Sequence, residues 1–319
     1  MLVLTQREVR ELLDLDRLVD ALAEAHSELS AGRTSMPPRI AALVPEREAL
    51  LGVMPAYLPS AALACKLVTL FPQNRDRETH QAAIVVFDHE NGTPVALMDG
   101  TFITATRTAA GSALATRLLA REDSHVLALI GTGVQAGTHG RAIPRVRPIE
   151  EIRVAGRDRE KAERLAEELG AGARAVDSYE EAIRGADVVA ATTHARDPVV
   201  RREWLAPGTH VNSVGLNPSG REVDEATVAE ATLVVESRDS ALAPPPAGAP
   251  ELVGVAPERV HAELGELVAG SRRGRSSPEE LTLYKSVGVA VQDAAAAALV
   301  LSAARERGVG REVDLEGAE

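Results

Sequence analysis

A run of five apolar residues, Val126-Leu127-Ala128-Leu129-Ile130, passes without interruption into Gly131-Thr132-Gly133-Val134-Gln135-Ala136. No other stretch narrows the fold so far. An unbroken apolar pentad suits a strand covered on both faces. The hexapeptide after it has the G-x-G-x-x-A form of the dinucleotide fingerprint. Gly131 permits a tight turn, Gly133 lets the backbone approach a pyrophosphate, and Ala136 allows close helix–strand packing. The helix that opens here offers free N–H groups and a partial positive charge to an anion. The competing reading is a glycine-rich turn that binds nothing. The pattern downstream favours the dinucleotide.

That pattern alternates strands and helices. Residues 152–155, 187–192, 210–214 and 233–235 read as strands, and residues 159–169 as a helix ended by Gly170. Such alternation implies parallel pairing in a doubly wound sheet. Pro144 is expected to cut the first helix short. At the tip of the second strand stand Gly156, Arg157 and Asp158. A glycine followed by an arginine suits a 2′-phosphate, because guanidinium pairs with phosphate in a bidentate way. Asp158 has two readings, a ribose-binding acid or a helix N-cap, and the cap is favoured. NADP is therefore expected over NAD. Residues 281–304 read as a long alanine-rich helix, with a short strand at residues 281–284 before it.

The leading part differs in kind. Thr5 and Glu8 have capping-box spacing, and apolar residues recur at helical intervals up to Gly32, which predicts one helix. Met36-Pro37-Pro38 cannot continue it. Residues 36–98 read as short strands of a largely antiparallel sheet, with Asn91-Gly92 as a hairpin signal. Residues 101–121 return to helix.

Composition removes several classes of function. The net charge is −12, from 47 acidic against 35 basic residues, which disfavours nucleic acid and anionic lipid as partners. The single cysteine, Cys65, leaves no multi-thiolate metal site, and the eight histidines show no H-E-x-x-H spacing. No metal is expected. One tryptophan, three tyrosines and three phenylalanines make no stacking platform for bases. The longest apolar run, residues 294–301, is too short for a membrane span, and a cytoplasmic location is expected. The basic stretch at residues 270–276 reads as solvated surface.

Three cations sit among apolar or small residues: Arg39 after Met36-Pro37-Pro38, Lys66 after Ala64-Cys65, and Arg107 within Thr104-Ala105-Thr106-Arg107-Thr108. A buried cation needs a partner or a ligand. Each alone suits a structural ion pair or a snorkelling side chain. Together, ahead of a dinucleotide domain, they suggest a clamp for a substrate carboxylate. Met54, Leu70 and Leu216 are candidates for an apolar pocket wall.

An ordered set of motifs resembles the ornithine cyclodeaminase/mu-crystallin family over nearly the whole length. Its carriers are Met36-Pro-Pro-Arg39, Val53-Met54-Pro55, residues 66–74, Asn91-Gly-Thr-Pro94, Met98-Asp99-Gly100 and Thr104-Ala-Thr-Arg107-Thr-Ala-Ala110. They continue through residues 131–136, Val214-Gly-Leu-Asn-Pro218, Arg221-Glu-Val-Asp224, Lys285-Ser-Val-Gly-Val-Ala290 and Gln292-Asp293. The resemblance implies an α/β protein in which a Rossmann-type doubly wound parallel sheet domain (residues 120–292) is inserted in an α+β substrate-binding and dimerisation domain (residues 1–119 plus 293–319). It implies a homodimer and an NAD(P)-linked enzyme acting on a small α-amino or α-imino acid. Arg39, Lys66 and Arg107 would hold the carboxylate, beside Met54 and Val287. Thr79, Arg107, Thr192, Val214, Gly215, Leu216 and Ser286 would face the cofactor.

One departure bears on the reaction. Ornithine cyclodeaminases carry an aspartate after the Val-Gly turn, and Asn217 stands at the corresponding place here. An amide cannot act as a general base at pH 7. Reduction of an imino acid or cyclic ketimine, or alanine dehydrogenation, is therefore the expected activity, with Lys66 as the candidate proton donor or polarising group. Ornithine cyclodeamination with a recycled NAD is the alternative, and a non-catalytic crystallin-like binding protein the third. Glu222 and Asp224 are expected only to open a helix.

Overall fold

The computed structural model describes residues 1–315 and 317. The chain divides into two compact units, Met1–Arg107 with Val289–Glu319, and Thr108–Gly288.

The first unit opens with strand β1 (Leu2–Leu4) and helix α1 (Gln6–Leu12), closed by the expected Thr5–Glu8 capping box. The single helix expected up to Gly32 is in fact two. The chain extends at Leu13, and Asp14 accepts a hydrogen bond from the Arg17 N–H at 2.8 Å, so a new helix, α2 (Leu15–Ser30), starts there. Five strands follow: β2 (Ile40–Val44), β3 (Ala49–Leu58), β4 (Ala62–Leu70), β5 (His80–Phe87) and β6 (Pro94–Asp99). They form the expected antiparallel sheet, and Asn91-Gly92 lies in the β5–β6 hairpin loop. Helix α3 (Thr101–Leu119) carries Arg107, and the division between the units falls within it, ahead of the boundary expected at residue 119.

The second unit begins with β7 (Val126–Ile130), which runs through the glycine turn into α4 (Val134–Ala142). The α-helix stops at Ala142, where Pro144 starts a 3₁₀ turn. There follow β8 (Glu151–Ala155), α5 (Arg159–Leu169), β9 (Ala173–Ala175), α6 (Tyr179–Ile183), β10 (Val188–Ala191) and β11 (His210–Ser213). The unit ends with α7 (Glu225–Glu230), β12 (Thr232–Val235), α8 (Arg238–Ala241), β13 (Val260–Glu263), α9 (Leu264–Val268) and β14 (Thr282–Lys285). Its sheet has the order β13-β12-β14-β11-β10-β7-β8-β9, with every pair parallel. Leu127 and Leu129 enter one apolar cluster, Ala128 and Ile130 another. The apolar pentad is thus buried on both faces, as its composition requires. Strand order reverses between β7 and β10, and in such sheets ligands bind beyond the strand C-termini at that point.

The chain then returns to the first unit as α10 (Ala290–Arg307), ended by Gly308 in the left-handed region, and β15 (Arg311–Glu312). Helix α10 packs on α2, β3, β4 and β5. Strand β15 completes the seven-stranded order β15-β1-β6-β5-β4-β3-β2.

Candidate active site

The turn after β7 is tight at Gly131 and open at Gly133. Gly131 has φ +121°, a conformation that disfavours any side chain. A Cβ there would meet Thr192 Oγ1 at 2.6 Å, while the Thr192 hydroxyl donates to the Ile130 carbonyl at 3.0 Å. A Cβ on Gly133 would meet nothing within 4 Å, so open space faces the N-terminus of α4. Gly133 caps α4 without a side-chain hydrogen bond, leaving the first N–H groups for a ligand. These features fit a dinucleotide pyrophosphate. Ala136 is fully buried against the β7 and β8 side chains.

At the tip of β8, Asp158 acts as a helix cap. Its carboxylate accepts from the Lys161 N–H at 3.1 Å and caps α5. Arg157 is exposed on the loop before it. Arg159 pairs with Glu163 and Asp177. Thr132 leans over Gly156, where a Cβ would meet its Cγ2 at 2.5 Å.

Buried carboxylates brace the remaining loops of this rim, and they were not legible as such in the sequence. Glu222 does not open a helix; Asp224 alone does so, capping α7 through the Thr227 N–H. Glu222 is 2% exposed and accepts from the Thr193 N–H and hydroxyl, the Ser213 hydroxyl at 2.8 Å and the Gly215 N–H at 2.9 Å. It ties the loop after β10 to the Val214-Gly215 turn after β11. Lys285 adds a third tie, donating to Ser213 Oγ, the Gly215 carbonyl at 2.7 Å and Glu251 Oε1 at 3.2 Å. Glu236 holds the Ser286–Gly288 turn through the Ser286 hydroxyl at 2.6 Å and the Val287 and Gly288 N–H groups. Leu216 accepts at its carbonyl from His194. The Asn217 side chain closes the same loop, its Nδ2 donating to the carbonyls of Ala195 and His194 and its Oδ1 accepting from the Ser219 N–H.

In the first unit the β3–β4–β5 register sets Lys66 in a row between Met54 and Ile84. Its ammonium meets Asp293 Oδ2 at 2.7 Å. Asp293 Oδ1 accepts from Arg107 Nε at 3.0 Å. Both cations are buried, so the cradle of positive charge expected from the sequence is partly neutralised by a residue to which no role had been given. Asp293 sits among the alanines of α10, and a carboxylate so placed requires a cation. Arg107 Nη1 also donates to Gln292 Oε1 at 2.8 Å, and the Gln292 amide nitrogen meets His26 Nε2 at 3.0 Å. Burial, aided by the Arg107 charge, lowers Lys66 to a pKa of about 8 against the pull of Asp293. Arg39, half-buried, adds a smaller push in the same direction. Burial resists ionisation of Asp293, but Arg107 and Lys66 outweigh it and hold the carboxyl below its ordinary range. Burial, then the Arg107 charge, lowers His26 to about 4, so it is neutral. Thr79 stands where the chain enters β5, its carbonyl accepting from the Phe71 N–H.

Comparison with known proteins agrees with this architecture. The model of the ornithine cyclodeaminase/mu-crystallin family matches residues 1–308. Ketimine reductase mu-crystallin of Mus musculus is 40% identical over 273 residues, 84% of this chain and 85% of its own length. A solved Δ1-pyrroline-2-carboxylate reductase from Thermococcus litoralis, in complex with NADH and L-proline, superposes with a TM-score of 0.93 at 37% identity, covering 98% of this chain and all of that one. An archaeal alanine dehydrogenase dimer with bound NAD superposes at 0.91 with 34% identity, covering 99% of each chain. With the family model matching residues 1–308 and the fold matched over nearly the whole length, the chain belongs to the ornithine cyclodeaminase/mu-crystallin family.

Proposed function

We propose that this protein is an NAD(P)H-dependent reductase of the C=N bond of a small cyclic or open-chain α-imino acid. The observation that carries the reading is the pairing of Lys66 and Arg107 through one carboxylate. Two buried cations share a single counter-charge, and a substrate monocarboxylate supplies the missing negative charge. Related proteins that reduce ketimines and pyrroline-2-carboxylate support the choice of reaction.

When bound, the reduced nicotinamide supplies a hydride to the imine carbon. The chain does the rest. Arg107 fixes the carboxylate and hence the position of the adjacent carbon. Lys66, with its lowered pKa, gives a proton to the imine nitrogen, so that the hydride meets a cationic C=N. Met54 and Ile84 flank the lysine and keep water from the imine. Gly131 through Ala136 hold the pyrophosphate, Thr192 and the Val214–Leu216 turn border the dinucleotide, and Ser286 and Val287 line the nicotinamide side. Arg157 takes a 2′-phosphate, which makes NADPH the preferred donor; its exposure and the capping role of Asp158 support this. Arg39 completes the substrate clamp.

The protein acts as a homodimer. Strand β2 is an exposed edge, and Ile40 (68% exposed) stands in register with Val53 and Leu67 across the sheet, a face suited to cover by a second copy. The archaeal relative is a dimer. A cytoplasmic location is part of the same reading.

The test is NADPH oxidation with Δ1-pyrroline-2-carboxylate, Δ1-piperideine-2-carboxylate, and pyruvate with ammonia or methylamine. Turnover with at least one is expected. Ammonia release from ornithine without net NADPH consumption would replace this reading with a cyclodeaminase; no turnover with any would leave a binding protein.

A further inference from the structure

We propose that Asp293 is a positioning residue of the reduction: it holds the Lys66 ammonium and the Arg107 guanidinium in register and keeps Lys66 in its charged, proton-donating form. The proposal rests on the reductase reading.

The carboxylate serves both cations. Asp293 Oδ1 accepts a hydrogen bond from Arg107 Nε at 3.0 Å, while Lys66 Nζ lies 2.7 Å from Oδ2 as an ion pair without hydrogen-bond alignment. Asp293 is 2% exposed, and both its partners lie in the first unit with it. Arg107 is fixed from its other end, because Nη1 donates to Gln292 Oε1. That bond settles the Gln292 amide: its nitrogen must donate to His26 Nε2, so His26 is the acceptor and carries its proton on Nδ1. His26 is fully buried on α2 and neutral at working pH. A chain of fixed donors and acceptors thus runs from α2 through α10 to the clamp.

Among the described residues, the charges that act on Lys66 are Asp293 from α10, Arg107 from α3 and Arg39 from the segment before β2. Two of the three are cations. Without Asp293, Lys66 would stand buried beside like charges and lose its proton at lower pH. Asp293 therefore sets the pH above which the clamp loses its acid.

The experiment compares kcat/KM against pH for the full-length enzyme and Asp293→Asn, with NADPH and Δ1-pyrroline-2-carboxylate. This quantity reports groups of the free enzyme, and any ionisation of the substrate is common to both proteins. The alkaline limb should move down by about 1–3 pH units. Activity lost at pH 8 should return in part near pH 6, a recovery that mere damage to packing would not show. An unmoved limb with uniformly lower activity overturns the proposal. Asp293→Glu, which restores a carboxylate, is the second variant and keeps the test open if Asp293→Asn does not fold. Its alkaline limb should lie nearer the wild-type position than a neutral side chain would leave it, and a limb shifted down by the full amount of about 1–3 pH units despite the retained charge would equally overturn the assignment. Failure of the wild-type enzyme to turn over refutes the reductase reading instead.

Discussion

Thr192 stands so close to Gly131 that any β-carbon at residue 131 would come within 2.6 Å of its hydroxyl oxygen. Gly131→Ala therefore meets two obstacles, that contact and a φ of +121°. A backbone strained in this way costs about 1–3 kcal/mol. The turn must shift to relieve it, and NADPH affinity, followed by fluorescence titration, should fall at least tenfold. Thr192→Ala in the same background should recover only part of the loss, since the dihedral strain remains. Full affinity in Gly131→Ala would show that the turn does not bear on the pyrophosphate.

Arg157 and Asp158 are neighbours to which the proposed function gives separate tasks. Arg157→Ala should weaken NADPH binding roughly tenfold to a hundredfold, the range of a charge-assisted hydrogen bond or two, and leave NADH binding unchanged. Asp158→Ala should lower the melting temperature through loss of the α5 cap, a cost of about 1 kcal/mol, without altering the ratio of the two affinities. Equal affinity for both coenzymes in the wild type, insensitive to Arg157→Ala, would end the proposed preference.

Lys66→Met separates proton donation from simple carboxylate binding. If the ammonium donates to the imine, kcat should fall by about 10²–10⁴, with NADPH affinity retained. A raised KM at unchanged kcat would reduce Lys66 to a binding group.

Three fully buried histidines set the acid side of the stability profile. Burial lowers His26 and His139 to about 4, and burial with the nearby Arg275 charge lowers His210 to about 3. Each is neutral in the folded protein, whereas the unfolded chain takes up protons near pH 6.5. Their contribution is complete above pH 6.5 and is lost as pH falls toward 4, on the order of 3 kcal/mol for each. Asp293, with its lowered pKa, adds a further loss only below about pH 4. The melting temperature should drop steeply between pH 6.5 and 4.5. A flat profile over that interval would contradict the buried, neutral histidines.

Glu222→Gln places an amide NH₂ where the carboxylate accepts four hydrogen bonds. At least one buried N–H or hydroxyl loses its acceptor, at a cost of about 1–3 kcal/mol. Both stability and coenzyme affinity should decline. An unchanged coenzyme affinity would separate the brace from the binding loops.

Local chemistry made much of this legible. The apolar pentad, the glycine turn, the Asn91-Gly92 hairpin and the Asp158 cap all express themselves within a few residues of sequence. Lys66 and Arg107 stood out because cations among small apolar residues demand partners. An acid among the alanines of α10 signals only that some cation must face it; which cations it serves is not legible, since Asp293 lies 186 residues beyond Arg107. Glu222 and Glu236 were opaque for the same reason: their meaning lies in loops that only the folded sheet brings together. The break at Leu13 and the short strands β1 and β15 escaped because a cap and two or three tertiary pairings outweigh helical periodicity there.

Asp293 reaches the clamp from a helix made after the whole second unit has been translated. A nascent chain that has released β4 and α3 from the ribosome thus holds two cations with no counter-ion to bury beside them. The first unit cannot close on itself until the final helix emerges, so a transcript cut short before residue 293 should yield a leading segment that stays open and prone to capture by chaperones.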